Sequence, residues 1–181
     1  MSYKAIQTML HEIQNAYMKR DENGADALCR SLFGKGSTPA IIGAGSDEWF
    51  FGSEEAKGLF LSDWANWGDF ILDFDSLKYG ELGGREWFSL RGGVLYSFED
   101  APETDSLFMR LTKEAASKGG SALERAGEIL WLLSHALHRR ENRVRKYLWH
   151  VTLSGISEDT IYGSKLRSLQ FALPADALYP D

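Results

Sequence analysis

The residues best suited to chemistry are acids and histidines at short spacings. Asp69, Asp73 and Asp75 alternate with other residues in the run DFILDFDSLKYG, with Ile71 between them. Alternation places them on one face of a strand. Paired carboxyls there could share a proton as acid and base, although the wet face of an edge strand has the same pattern and is the preferred reading. His135 and His138 stand three apart on a helix and could share one side. A metal needs a third ligand, and no HExxH or CxxC spacing supplies it, so no metal site is expected. Cys29 lies in the apolar helical pattern Ala25, Leu28, Cys29, Leu32 and reads as a small buried hydrophobe. As the single cysteine, it leaves no internal disulfide. The Gly-rich pieces GAG and LGG lack the strand–GxGxxG–helix setting of a dinucleotide site, and no cofactor is expected.

A second signal is aromatic. Trp49, Trp64 and Trp67 are three of the six tryptophans, and Phe60 and Phe70 lie near them in sequence. Pockets are mostly apolar with a few polar groups. These rings are therefore the expected ligand-binding wall, with Asp63 and Asn66 interleaved as a rim or lid. Plain core packing is the competing reading for each ring taken singly.

These residues sit in a chain of 181 residues, 44 % apolar, 25 % charged and 13 % aromatic. That is the profile of a soluble globular protein of one domain. The net charge of −6 disfavours a phosphate backbone as partner. The basic group Arg139, Arg140, Arg143, Arg145 and Lys146 reads as a solvated helix end. No run is apolar for the ~20 residues a membrane span needs, and the N-terminus lacks a signal-peptide core. No nucleic acid and no membrane partner are expected, and the location expected is cytoplasmic.

The elements follow from periodicity. Helices are expected at about Tyr3–Lys19, with the stripe Ile6, Met9, Leu10, Ile13, Ala16 and Tyr17, and at Ala25–Phe33. Two short strands, or one bent strand, follow at Ala40–Gly43 and Glu48–Phe51, then a helix with Ser53 as N-cap. Strand signals fill Asp69–Phe98, where Gly92-Gly93 suggests a bulge or bend. Helices recur at about Ser106–Ala116 and Ser121–Arg140, the latter with the stripe Leu123, Ala126, Ile129, Leu130, Leu133 and Leu137. Strands close the chain, with a turn at Ser157-Glu158-Asp159.

Ile41-Ile42-Gly43, Asp47-Glu48-Trp49 and Gly52-Ser53-Glu54-Glu55-Ala56, with Leu169-Gln170-Phe171-Ala172-Leu173-Pro174 and Pro180-Asp181 at the end, resemble the nuclear transport factor 2-like (NTF2-like) superfamily in its SnoaL-like branch. The order of elements is similar too. Ala172 departs from the Ser that many relatives carry, and the helical stretch at about 105–140 exceeds the minimal fold. The resemblance implies an α+β fold, in which N-terminal helices wrap a cone-shaped, curved mixed or antiparallel sheet. It also implies an apolar pocket and frequent homodimers formed through the sheet.

Members include isomerases, dehydratases, cyclases and hydrolases of small apolar molecules, and also non-catalytic binding modules, so fold leaves function open. In isomerase-like relatives a tyrosine of the first helix donates to a developing oxyanion, which marks Tyr17 as a catalytic candidate. The matching early strand, Ala40-Ile41-Ile42, carries no acid to serve as base. His150, mid-strand, is a second candidate as a proton shuttle if its face lines the cone. Gln170 in the next strand could meet a ligand or His150. The same two residues would serve contacts between subunits if their face is the dimer face. A small apolar molecule bound in the cone, with or without cofactor-free acid–base catalysis, is one expectation. A non-catalytic interaction module with a filled cone is the other.

Overall fold

The computed structural model describes residues 3–44, 48–97, 101–117, 119–142 and 146–173. The described residues form two compact units, one within 3–95 and 149–173, the other within 96–148. Among them no helix is long and apolar enough to cross a membrane.

In the first unit, helix α1 (Tyr3–Lys19) buries Ile6, Met9, Leu10, Ile13 and Tyr17 along one stripe, as its 3.6-residue period requires. A short 3-10 turn, Glu22–Gly24, is capped by the Asp21 side chain. Helix α2 (Ala25–Phe33) follows and buries Leu28, Cys29, Leu32 and Phe33. Its C-terminal end is met by Lys165, whose Nζ donates to the Ser31 carbonyl at 2.6 Å. A cation there suits the helix dipole.

Strands β1 (Ala40–Ile42) and β2 (Trp49–Phe51) form a short antiparallel hairpin. Helix α3 (Gly52–Asn66) begins one residue earlier than Ser53 would dictate. Phe51 takes the cap position, and Glu55 reaches back to accept its N–H at 2.6 Å. Gly52 holds φ +85° at this corner, a conformation only glycine adopts without strain.

The long strands are β3 (Asp69–Leu82), β4 (Arg85–Ser97), β5 (Lys146–Thr160) and β6 (Gly163–Ala172). The six strands make one curved, open, mixed sheet in the order β2-β1-β6-β5-β4-β3, with β1 parallel to β6. Helix α1 packs on β3, α2 on β6 and α3 on β2. The expected irregularity near Gly92-Gly93 falls on the opposite strand. β3 shifts register between Asp73 and Lys78, and Ser76 Oγ accepts the Arg91 N–H left over by the shift. Gly92 itself permits close approach, since a Cβ there would stand 2.7 Å from the Ile71 carbonyl oxygen. The turn expected at Ser157–Asp159 is instead part of β5, which runs on to Thr160. The hairpin reverses at Ile161-Tyr162, where Thr160 Oγ1 ties to Gly163 and Tyr162.

Parity along β5 and β6 decides what each face carries. Val151, Leu153 and Gly155 are buried on one face with Leu169 and Phe171; Thr152, Ser154 and Ile156 share the other with Ser168 and Gln170.

The second unit holds α4 (Ala101–Ser117) and α5 (Ala122–Asn142), which pack on each other. Helix α4 starts at Ala101 rather than near Ser106, because Pro102 is well tolerated in a first helical turn. Ser121 and Glu124 form a reciprocal capping box at the start of α5, with Ser121 N donating to Glu124 and Glu124 N donating to Ser121. Of the stripe expected on α5, only Ile129 is withdrawn from solvent among the described side chains. Leu123 and Leu130 are 83 % and 67 % exposed, and the burial falls on Leu132, with Ile129 and Trp131 half-buried.

Candidate functional site

Tyr17 lies in the last turn of α1, and its stripe turns its ring into the helix-covered side of the sheet. The ring is 1 % exposed. It sits 5.1 Å from Phe70 of β3 and meets Phe60 and Trp64 of α3 edge-on at 6.1 and 6.5 Å. Trp67, just past α3, stands 6.4 Å away and packs edge-on against Phe171 of β6 at 5.9 Å.

Inside this aromatic shell the Tyr17 hydroxyl donates to Asp63 Oδ2 at 2.5 Å. Asp63 is carried by the buried side of α3, which also holds Ala56, Leu59, Phe60 and Trp64, and is 6 % exposed. Burial pushes the Asp63 carboxyl up to about 7, and the nearby Glu48 carboxylate adds to the rise, while the Tyr17 hydrogen bond pulls it down. Burial also raises the Tyr17 phenol well above its ordinary value, with the Asp63 charge contributing next. A carboxyl at about 7 is divided between its two forms at neutral pH, the condition for a general acid or base.

Arg20 and Glu48 border the pair. Arg20, in the left-handed conformation at the end of α1 (φ 51°), donates to the Tyr17 carbonyl, the Trp64 carbonyl and Asp69 Oδ1. It thereby ties α1, α3 and the start of β3 together. Glu48 lies over Gly43, whose N–H donates to the Glu48 carbonyl at 2.8 Å. A side chain at position 43 would collide with the Glu48 carboxylate.

The expected site residues separate. Tyr17, Trp64 and Trp67 come together. Trp49 is 57 % exposed on β2. Gln170 is exposed opposite Ser154, on the face of the sheet away from Phe171. His150 is exposed and shares the parity of Thr152 and Ser154 on β5. Asp69 and Asp73 are spent in surface ion pairs with Arg20 and Arg91. Asp47 and the side chains of Asn66, His135, His138, Arg139, Arg140, Arg143, Arg145 and Lys146 lie outside the described residues. Cys29 is buried, and burial raises its thiol to about 11. Among the described residues no three His, Cys, Asp or Glu side chains gather as metal ligands.

Asp63 is the acid that spacing alone passed over as part of a rim. The signal was present, because it lies three residues after Phe60 and four after Leu59, within the apolar stripe of α3. A charged residue inside such a stripe is a buried acid in waiting.

No protein-family model matches this sequence, and no curated protein matches it. Solved structures do share its fold. An NTF2-like family protein from Streptomyces avermitilis, provisionally named a dehydratase, is 12 % identical, with TM-score 0.57 over 95 % of each chain. Hexachlorocyclohexane dehydrochlorinase LinA-type3 from Novosphingobium barchaimii LL02 is 13 % identical, with TM-score 0.56 over 94 % of this chain and 84 % of that one. A protein from Xanthomonas campestris, provisionally named a calcium/calmodulin-dependent protein kinase II association domain, is 5 % identical, with TM-score 0.58 over 97 % and 90 %. The fold is therefore NTF2-like, and these likenesses speak to the fold alone.

Proposed function

With the NTF2-like fold as the frame, we propose that the Tyr17–Asp63 pair is the acid–base centre of a site for a small, largely apolar molecule. The observation that carries this reading is the 2.5 Å hydrogen bond between a buried phenol and a buried carboxyl. The carboxyl titrates at about 7 inside a shell of aromatic rings. Asp63 would take a proton from the bound molecule and, once protonated, donate it to the Tyr17 oxygen; the Tyr17 hydroxyl is then free to donate to the oxygen on which charge develops, where a dry surrounding makes such a donor most effective. The carboxyl comes from α3 rather than from the early strand, so the missing strand acid does not exclude proton transfer. The names dehydratase and dehydrochlorinase borne by two structural neighbours support elimination or related proton-transfer chemistry on this fold. The test is deuterium exchange α to the carbonyl of cyclopentanone in D2O, with Asp63→Asn as control. Exchange no faster than buffer would sink the reading for that substrate type.

A second reading has its own support. Tyr17, Phe60 and Phe70 are each at most 1 % exposed, as in a cone filled by its own side chains. The other face of the sheet presents Ile71, Trp87 and Ile156 at 46, 43 and 40 % exposure, a surface suited to homodimerisation. A mass of 20.3 kDa by light scattering at micromolar concentration would count against the dimer.

A further inference from the structure

Trp64 holds a hydrogen-bond donor that no described residue accepts. Its side chain is 6 % exposed, and its Nε1 is shielded from solvent without a partner. The ring is otherwise well placed. It stacks on Phe60 at 6.4 Å with 17° between the planes, and Tyr17 meets it edge-on. The one acid adjacent to it in sequence, Asp63, receives the Tyr17 hydroxyl instead. Buried donors are nearly always satisfied, so this orphan marks a place where an acceptor from outside the described residues can be taken up.

The chemistry of that partner is constrained. An indole N–H can only donate, so the partner must carry an acceptor. An anion would meet the Asp63 carboxyl, whose proton affinity the nearby Glu48 carboxylate already raises, and like charges repel strongly in a low-dielectric interior. A neutral oxygen on an otherwise apolar body satisfies the donor and the rings together. Trp67, the half-buried ring of the shell, is the side by which such a molecule would enter.

We propose that the Trp64 indole N–H anchors the neutral oxygen, of ketone, ether or alcohol type, of the molecule bound beside Tyr17 and Asp63, and that anionic ligands are excluded. This rests on the ligand-binding reading above and narrows its substrate class.

The experiment uses three probes of one size: cyclopentanone, cyclopentane and cyclopentanecarboxylate, added at pH 8 to protein labelled with 15N-tryptophan. The Trp64 indole signal is identified by its loss in Trp64→Phe. Cyclopentanone is expected to move that signal downfield in a saturable way, while cyclopentane perturbs the neighbouring rings and leaves it in place. The carboxylate is expected to leave all signals of the site unchanged. Trp64→Phe should weaken cyclopentanone binding about tenfold, the worth of one hydrogen bond, and change cyclopentane binding less than twofold. Should Trp64→Phe fail to fold, benzothienylalanine at position 64 removes the N–H and keeps the bicyclic ring.

Cyclopentanone and cyclopentane binding alike, with the Trp64 proton unmoved, would overturn the anchor and leave the ligand site standing. So would a bound water on Trp64 that cyclopentanone fails to displace, or carboxylate binding as tight as ketone binding. Absence of binding by all three probes would sink both the anchor and the ligand site.

Discussion

Tyr17 and Asp63 are 46 residues apart in sequence and 2.5 Å apart at their oxygens. The phenol is the donor, so the pair joins a protonated tyrosine to a carboxylate that burial would otherwise neutralise. Each residue restrains the other. The bond lowers the proton affinity of Asp63, and the Asp63 charge raises that of Tyr17.

Tyr17→Phe should therefore destabilise the protein by about 1–3 kcal/mol, because it leaves a buried carboxyl without its donor. It should also move the Asp63 titration above its present value of about 7. Urea unfolding and 13C NMR titration of the Asp63 carboxyl read the two effects separately. An unchanged Asp63 titration would show that the hydrogen bond does not govern it.

Stability should fall between about pH 4 and pH 7 because of Asp63. Its folded value of about 7 lies above its ordinary value of 3.8. The folded protein thus holds a proton that the unfolded chain has already released. The contribution is intact below the unfolded value, is lost as pH rises through the folded one, and stays lost above it. The difference amounts to something on the order of 4 kcal/mol. The acids held low at the surface, Asp26 and Glu158 among them, act in the opposite sense. Subtracting the profile of Asp63→Asn isolates the slope. Parallel profiles for the two proteins would rule the effect out.

Arg20 combines a left-handed backbone with three side-chain hydrogen bonds. Arg20→Ala keeps the backbone cost and loses the bonds, while Arg20→Gly loses the bonds and relieves the backbone. The glycine variant should be the more stable of the two by about 1 kcal/mol, and both should fall below the native protein in thermal unfolding. Equal melting of all three would remove Arg20 as the tie between α1 and α3.

Two glycines should respond oppositely to alanine. A Cβ at Gly155 would stand 2.6 Å from Phe88 Cζ and 2.7 Å from the Ser168 carbonyl oxygen, so Gly155→Ala should cost about 1–3 kcal/mol. Gly58 is exposed on α3 with nothing within 4 Å of a Cβ, so Gly58→Ala should gain up to about 1 kcal/mol. Chemical denaturation of the two variants side by side gives the comparison.

Much of the molecule was legible from local pattern. The stripe from Ile6 to Tyr17, the stripe of α2, the S-x-x-E signature at Ser121 and Glu124, and the alternation through β3 and β4 each follow from short-range spacing and turn chemistry. So does the NTF2-like order of elements. Trp64 was visible as a member of an aromatic shell for the same reason, since it recurs with Phe60 on one side of a helix, and Trp67 follows that helix directly.

Tertiary structure decided the rest. Alternation tells that Gln170 and Phe171 point to opposite faces, but not which face the helices cover. Packing of α1, α2 and α3 answers that, placing Phe171 beside Trp67 and leaving Gln170 and His150 outside. Likewise, an acid within an apolar stripe announces burial without naming its partner. Asp63 acquired Tyr17 because α1 and α3 meet over β3, and Arg20 fastens them there. Contacts between residues distant in the chain depend on how layers stack, and that information is spread over the whole sequence rather than held at either residue.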